Sequence, residues 1–179
     1  AAVPVEAARL AFGQVTDLYM TTPGIITETT STSPSTGNIR ARPIVFGRDG
    51  TITSLGVTVN TGAANAKGRV GIWLAGADGY PTTLVGESGE LDLSTTGRKA
   101  ATGLSIAVSA SSSYWLGYLG GTAAATLVVA NSIVTLGSVV ATAAGTTVTR
   151  VNLLSVAQAY GAMPSSFPTG ASAQTSTAD

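Results

Sequence analysis

Between residues 42 and 161 the sequence is a succession of short apolar stretches broken by Gly, Asp, Asn and Ser. Several of them alternate. Leu55, Val57 and Val59 stand against Gly56 and Thr58, and Val70, Ile72 and Leu74 against Arg69, Gly71 and Trp73. Leu91 and Leu93 stand against Glu90 and Asp92, and Leu104, Ile106 and Val108 against Ser105, Ala107 and Ser109. A period of two sends successive side chains to opposite faces of a pleated strand, so each stretch predicts a strand with one face toward a core. Asp49-Gly50, lying between Pro43–Phe46 and Thr51–Val59, predicts a tight hairpin. Tyr114–Leu119, Thr126–Ala130 and Ile133–Val140 are apolar on both faces. They predict strands covered on both sides, by a second sheet and by the N-terminal arm or a neighbouring subunit. Ala157 to Tyr160 predicts a last strand, and no helical period in this region is sustained beyond ten residues. Regularly spaced short strands separated by turns predict an all-β fold, an antiparallel, jelly-roll-like β-sandwich over residues 42–161.

The flanks differ. Residues 1–41 read as an extended N-terminal arm and a Ser/Thr-rich linker, with Thr21-Thr22-Pro23-Gly24 as a turn and Thr27 to Asn38 almost free of large apolar residues. Pro4 followed by Val5 to Ala11 predicts two helical turns stopped by Gly13. So short a helix is not stable alone, so the arm, with Val5, Leu10, Phe12, Leu18 and Tyr19, needs a partner surface to become ordered. Residues 162–179 begin with Met163-Pro164 and Phe167-Pro168 and end in small polar residues, which predicts a strap over the sandwich and a loose tail.

Composition narrows the functional classes. There is no Cys and no His among 179 residues, which removes disulfides, thiolate chemistry and the commonest general base and metal ligand. Nine basic and nine acidic residues make only 10% of the chain, against about 25% in ordinary soluble domains, and 44% is hydrophobic. So little charge hardly opposes self-association, so a homo-oligomer or a larger assembly is expected. Zero net charge offers no clustered positive field for nucleic acid. The most apolar stretch, Leu127 to Val140, is interrupted by Asn131, Ser132 and Gly137 and is shorter than the ~20 residues of a membrane helix. Ala1 to Glu6 shows no basic region followed by an apolar run, so no secretory leader is expected there.

Candidate chemistry is sparse. Gly86-Glu87-Ser88-Gly89 departs from the Gly-x-Ser-x-Gly elbow of serine hydrolases and is read as a solvated turn. Glu87 and Glu90, three apart, are expected on opposite faces; Glu90 and Asp92 share a solvated one. Asp78-Gly79-Tyr80-Pro81 reads as a turn rather than a calcium loop, and no glycine-rich phosphate loop is present, so neither metal nor cofactor is expected. The aromatic residues are the better candidates. Trp73 beside Arg69, with Tyr80 nearby in sequence, is either an outward platform for a protein or sugar partner, or core beneath a second cover. Tyr114, Trp115 and Tyr118 carry the same ambiguity, with Trp115 read as core.

The order of certain pieces carries a resemblance. Gly71-Ile72-Trp73-Leu74-Ala75, Asp78-Gly79-Tyr80-Pro81, Leu84-Val85, Leu91 to Gly97, Tyr114-Trp115-Leu116-Gly117-Tyr118 and Ala162 to Pro168 resemble, in sequence, a module of tailed-bacteriophage virion structural proteins. Met163 stands where such modules have Leu. The resemblance covers residues 42 to 170. It implies a tail, fibre or head-decoration protein on the particle surface, with no catalytic residues, usually oligomeric and here expected as a trimer. The arm would then attach the subunit to other virion proteins, and the alternative is a receptor or host-glycan binding module using Arg69, Trp73 and Tyr80.

Overall fold

The computed structural model describes residues 25–26, 29–32, 34, 36–130, 133–134 and 149–177. Thirteen strands follow one another among them. They are β1 (Ile25–Ile26), β2 (Thr29–Thr32), β3 (Asn38–Val45), β4 (Gly50–Thr61), β5 (Lys67–Ala75), β6 (Pro81–Glu87) and β7 (Leu91–Asp92). The rest are β8 (Gly97–Val108), β9 (Ser113–Gly120), β10 (Thr126–Ala130), β11 (Ile133–Val134), β12 (Thr149–Ala157) and β13 (Ser172–Thr177). No helix occurs among the described residues. A large sheet is ordered β13-β12-β3-β9-β5-β6 with β7 beside β5, a small one β2-β10-β4-β8, and β1 pairs β11. All these strand pairings are antiparallel. From β3 to β5, and again from β8 to β10, the long strands switch sheet at each step, so β4 pairs β8 while β9 lies between β3 and β5. This nested winding makes the antiparallel sandwich jelly-roll-like, as the alternation predicted.

The alternation fixes two cores. Between the sheets, Leu55 and Val59 of β4 and Ile106 and Val108 of β8 meet Val70 and Ile72 of β5, together with Leu91, Leu93 and Tyr114. On the outer face of the large sheet, Ile39 and Ala41 of β3, Trp73 of β5, Trp115 and Leu119 of β9, and Leu154 and Val156 of β12 form a second cluster with Met163. β5 and β9 are therefore buried on both faces, and the C-terminal strap provides the outer cover.

Three local expectations give way. Asp49-Gly50 does not close a hairpin, because β3 belongs to the large sheet and β4 to the small one. Asp49 instead accepts hydrogen bonds from Ser109 Oγ (2.9 Å) and the Ala110 N–H (2.8 Å), tying this sheet-crossing turn to the one after β8. The expected boundary at residues 41 and 42 falls inside β3, and Thr29–Thr32, read as linker, pairs with β10. Threonine is β-branched, so a Thr-rich run fits a strand as readily as a linker. The last strands are β12, ending at Ala157, and β13, which pairs β12 where a loose tail was expected. The expected helical turns at Val5 to Ala11, the Thr21–Gly24 turn, the arm residues Val5, Leu10, Phe12, Leu18 and Tyr19, and the strand expected beyond Val134 lie outside the described residues.

Candidate functional site

Trp73 is fully buried, at 0% exposure, so it is core and offers no platform to a sugar or protein. Its position on β5 explains why. It faces the outer side, where Gly117 across the sheet and Gly71 on its own strand leave room for the indole. A Cβ at Gly117 would stand 2.6 Å from Trp73 Cζ3, and one at Gly71 2.9 Å from Cη2. The Phe167 ring meets the indole edge-on, with centroids 5.2 Å apart, and the indole N–H donates to the Pro164 carbonyl at 3.3 Å. Trp115, directly across from Trp73, sends its own N–H to the Gly79 carbonyl at 2.8 Å and is core as expected.

The strap is held by its backbone as well. The Leu84 N–H donates to Ser165 O (2.8 Å) and the Phe167 N–H to Thr82 O (2.7 Å), so the strap pairs with β6, the edge of the large sheet. An edge so covered cannot template a further strand.

Beside the strap lies a cluster of charged and polar side chains. Arg69 pairs with Glu87 through Nη1 (3.2 and 3.3 Å), and Glu87 Oε2 also accepts the Met163 N–H at 3.2 Å. Lys67 pairs with Glu90 at 2.6 Å, and the Tyr160 hydroxyl donates to Glu90 at 3.3 Å. Glu87 and Glu90 were expected on opposite faces, yet they meet Arg69 and Lys67, which lie two apart on one face of β5. Gly89, at φ +70°, breaks the strand between the two glutamates and cancels their alternation. The hydrogen bond from Lys67 holds the Glu90 carboxyl below its ordinary range. Asp92 is lowered by the Ser94 N–H. A glycosidase acid needs the opposite, a carboxyl pushed upward to keep its proton. Glu87 fastens the strap at Met163, Glu90 holds Lys67 and Tyr160, and Asp92 caps the Ser94 N–H.

Ser88 is buried where a solvated turn was expected. Its Oγ accepts the Val70 N–H (3.0 Å) and donates to Gly89 O (2.7 Å), while its own N–H donates to Val70 O (2.8 Å). Its sole hydroxyl proton is engaged, and its role is to join the β6–β7 corner to β5.

Tyr80 is the exposed aromatic, at 47%, on the tip of the β5–β6 turn. Asp78 Oδ1 accepts its N–H at 3.1 Å and Gly76 donates to its carbonyl at 2.7 Å, the turn predicted for Asp78 to Pro81. Arg69 and Tyr80 stand toward opposite ends of β5, about 20 Å of strand apart, so Arg69, Trp73 and Tyr80 do not converge. Among the described residues no three acidic side chains gather as metal ligands. The sequence reading missed Arg42. It lies on the inner face of β3 opposite Leu116, half-buried, and burial lowers the pKa of its guanidinium. An Arg at an inward strand position was the available signal.

The chain matches no family model, no curated protein and no solved structure.

Proposed function

We propose that this chain is a non-enzymatic structural subunit of a bacteriophage particle, a small fibre or decoration protein that works as one copy among several. The observation that carries the assembly reading is a surface poor in charge that leaves apolar side chains open. Val45 is 52% and Val128 38% exposed, on β3 and β10, in a chain with only 10% charged residues. Single exposed valines are ordinary one by one, and it is the small charge of the chain that leaves little to oppose contact with other copies.

The virion assignment draws on the resemblance, and the fold adds one supporting point. The pieces that carry it, dispersed from Gly71 to Pro168, fall on β5, β6, β7, β9 and the strap; Trp73, Trp115, Met163, Leu84 and Phe167 share the outer core, and Ile72, Leu91, Leu93 and Tyr114 the core between the sheets. The glycan-binding alternative loses its central residue, because Trp73 is core.

Size-exclusion chromatography with light scattering on the full chain at micromolar concentration tests assembly, with a trimer expected. A folded monomer would remove the subunit reading. Density for the chain in a map of an intact phage particle would establish the virion assignment, and its absence from purified particles of the source phage would reject it.

A further inference from the structure

The chain is poor in charge, yet much of the charge it has is gathered in one place. Residues 36–177 hold thirteen charged residues. Seven of them meet at one edge of the sandwich: the pairs Lys67–Glu90 and Arg69–Glu87, with Asp92, Arg98 and Lys99. There β7, paired to β5 of the large sheet, comes close to the start of β8, the end strand of the small sheet. A groove of about 380 Å³ opens between them, within the roughly 300–1,000 Å³ usual for small-ligand sites. Glu90 and Asp92 stand on the β7 side and Arg98 and Lys99 on the β8 side, and Leu91, Ala100 and Ala101 complete the lining.

Local hydrogen bonds orient these groups and leave them capacity for more. Glu90 accepts from Lys67 Nζ at 2.6 Å on one oxygen and from the Tyr160 hydroxyl at 3.3 Å on the other. Asp92 Oδ1 accepts the Ser94 N–H at 2.9 Å, and Lys99 Nζ donates to Thr95 Oγ1 at 2.5 Å. A carboxylate has about four lone-pair sites and an ammonium three donors, so both acids keep acceptor sites and Lys99 keeps donors. Arg98 brings the planar fork that matches a carboxylate. On the side away from β4, β8 pairs with no other strand among the described residues, so its backbone adds amide and carbonyl groups beside the groove.

We propose that this groove binds an acidic oligosaccharide, whose carboxylate is taken by Arg98 and Lys99 and whose hydroxyls are taken by Glu90 and Asp92. The chemistry of the two walls selects this class. Donor-only side chains face acceptor-only ones, and a hydroxyl-rich ring bearing a carboxylate has a partner for each. A neutral sugar leaves the two cations without an anion. A phosphodiester chain, charged at every residue, is repelled by Glu90 and Asp92. Leu91, Ala100 and Ala101 offer an apolar surface to the C–H face of the ring. The groove includes neither Trp73 nor Tyr80, and it is present in a monomer as in a subunit, so the proposal goes beyond the assembly reading.

Magnetic-resonance titration of the isotope-labelled full chain tests it, with tetragalacturonic acid, a hyaluronan tetrasaccharide and sialyllactose as probes. At least one should bind with millimolar affinity or better and shift the amides of residues 90–92 and 98–101. No binding by any of the three, or shifts confined to other residues, overturns the inference. The methyl ester of the sugar that binds keeps the ring and hydroxyls but loses the charge. It should bind about tenfold more weakly, the scale of a lost hydrogen bond to a charged group, and equal binding overturns the inference. Arg98→Gln with Lys99→Gln should weaken binding by about tenfold or more with an unchanged far-ultraviolet strand spectrum, and unchanged affinity overturns the inference. If the double variant fails to fold, Lys99→Gln alone replaces it under the same criterion. If the variant instead lowers the mass of the sugar-free protein in light scattering, the groove is a contact between copies and the inference falls. A wild-type monomer that binds sugar rejects the subunit reading alone, so the two failures are distinguishable.

Discussion

Replacing Trp73 by Ala tests whether the outer face of the large sheet is a true core. The side chain is fully buried, sits against Gly71 and Gly117, meets Phe167 edge-on and donates to Pro164 O. Truncating so large a buried aromatic costs about 3–5 kcal/mol, combining lost transfer energy with the cavity left behind. At about 2–4 °C per kcal/mol for a chain of this size, the melting temperature should fall by roughly 6–20 °C. Urea unfolding followed by circular dichroism gives the free energy directly. Because total stability is on the order of 5–15 kcal/mol, the Ala variant could unfold outright, and Trp73→Phe provides a milder step. It retains an aromatic contact to Phe167 but loses the indole N–H to Pro164, a loss of about 1–3 kcal/mol if that carbonyl is left without a donor. A Trp73→Ala loss below 1 kcal/mol would refute the packing described here, and the strap would then be a loose covering. A surface platform would behave in just that way.

Three further outcomes follow from the same contacts. Gly117→Ala places a methyl 2.6 Å from the Trp73 ring and should destabilise by about 1–3 kcal/mol in urea unfolding, against no effect if the ring is free to shift. Ser88→Ala removes the acceptor of the buried Val70 N–H and should cost about 1–3 kcal/mol, with faster amide exchange at Val70 as the local signature. Burial pushes the Tyr118 hydroxyl up to about 12 from 10.0, so the folded state holds that proton longer than the unfolded chain. Its contribution is fully present below pH 10 and is lost as the pH rises toward 12, and Tyr118→Phe should flatten that decline in stability.

The strands were legible because burial writes itself as alternation. Leu55, Val57 and Val59, or Leu104, Ile106 and Val108, need no tertiary information to be assigned a face. Connectivity was less legible. Asp49-Gly50 has the chemistry of a hairpin turn, but whether the flanking strands pair depends on which sheet each joins, and that is decided by partners sixty residues away. The carboxylates were misread for a related reason. Alternation holds only while the backbone stays extended, and a left-handed glycine between Glu87 and Glu90 resets the count. Trp73 was ambiguous because its strand is apolar on both faces, and the cover that decides the matter arrives from Pro164 and Phe167, more than ninety positions later.

That cover also changes where other copies would dock if the chain assembles as proposed. A central strand apolar on both faces requires something on each side, and a second subunit is one solution. Here the strap occupies the outer side of β5 and closes the β6 edge with its backbone, so neither asks for a partner. Among the described residues, what stays open lies elsewhere: Val128 exposed on β10, Val45 at the end of β3, and the half-buried Arg42 on the inner face. Each is small alone, since a lone exposed valine is ordinary and an arginine can rest its stem on apolar surface. Their force comes from a chain with few charges to hold copies apart. If copies assemble as proposed, their contacts should be sought on the small sheet and along β3, because the Trp73 face belongs to the inside of one chain.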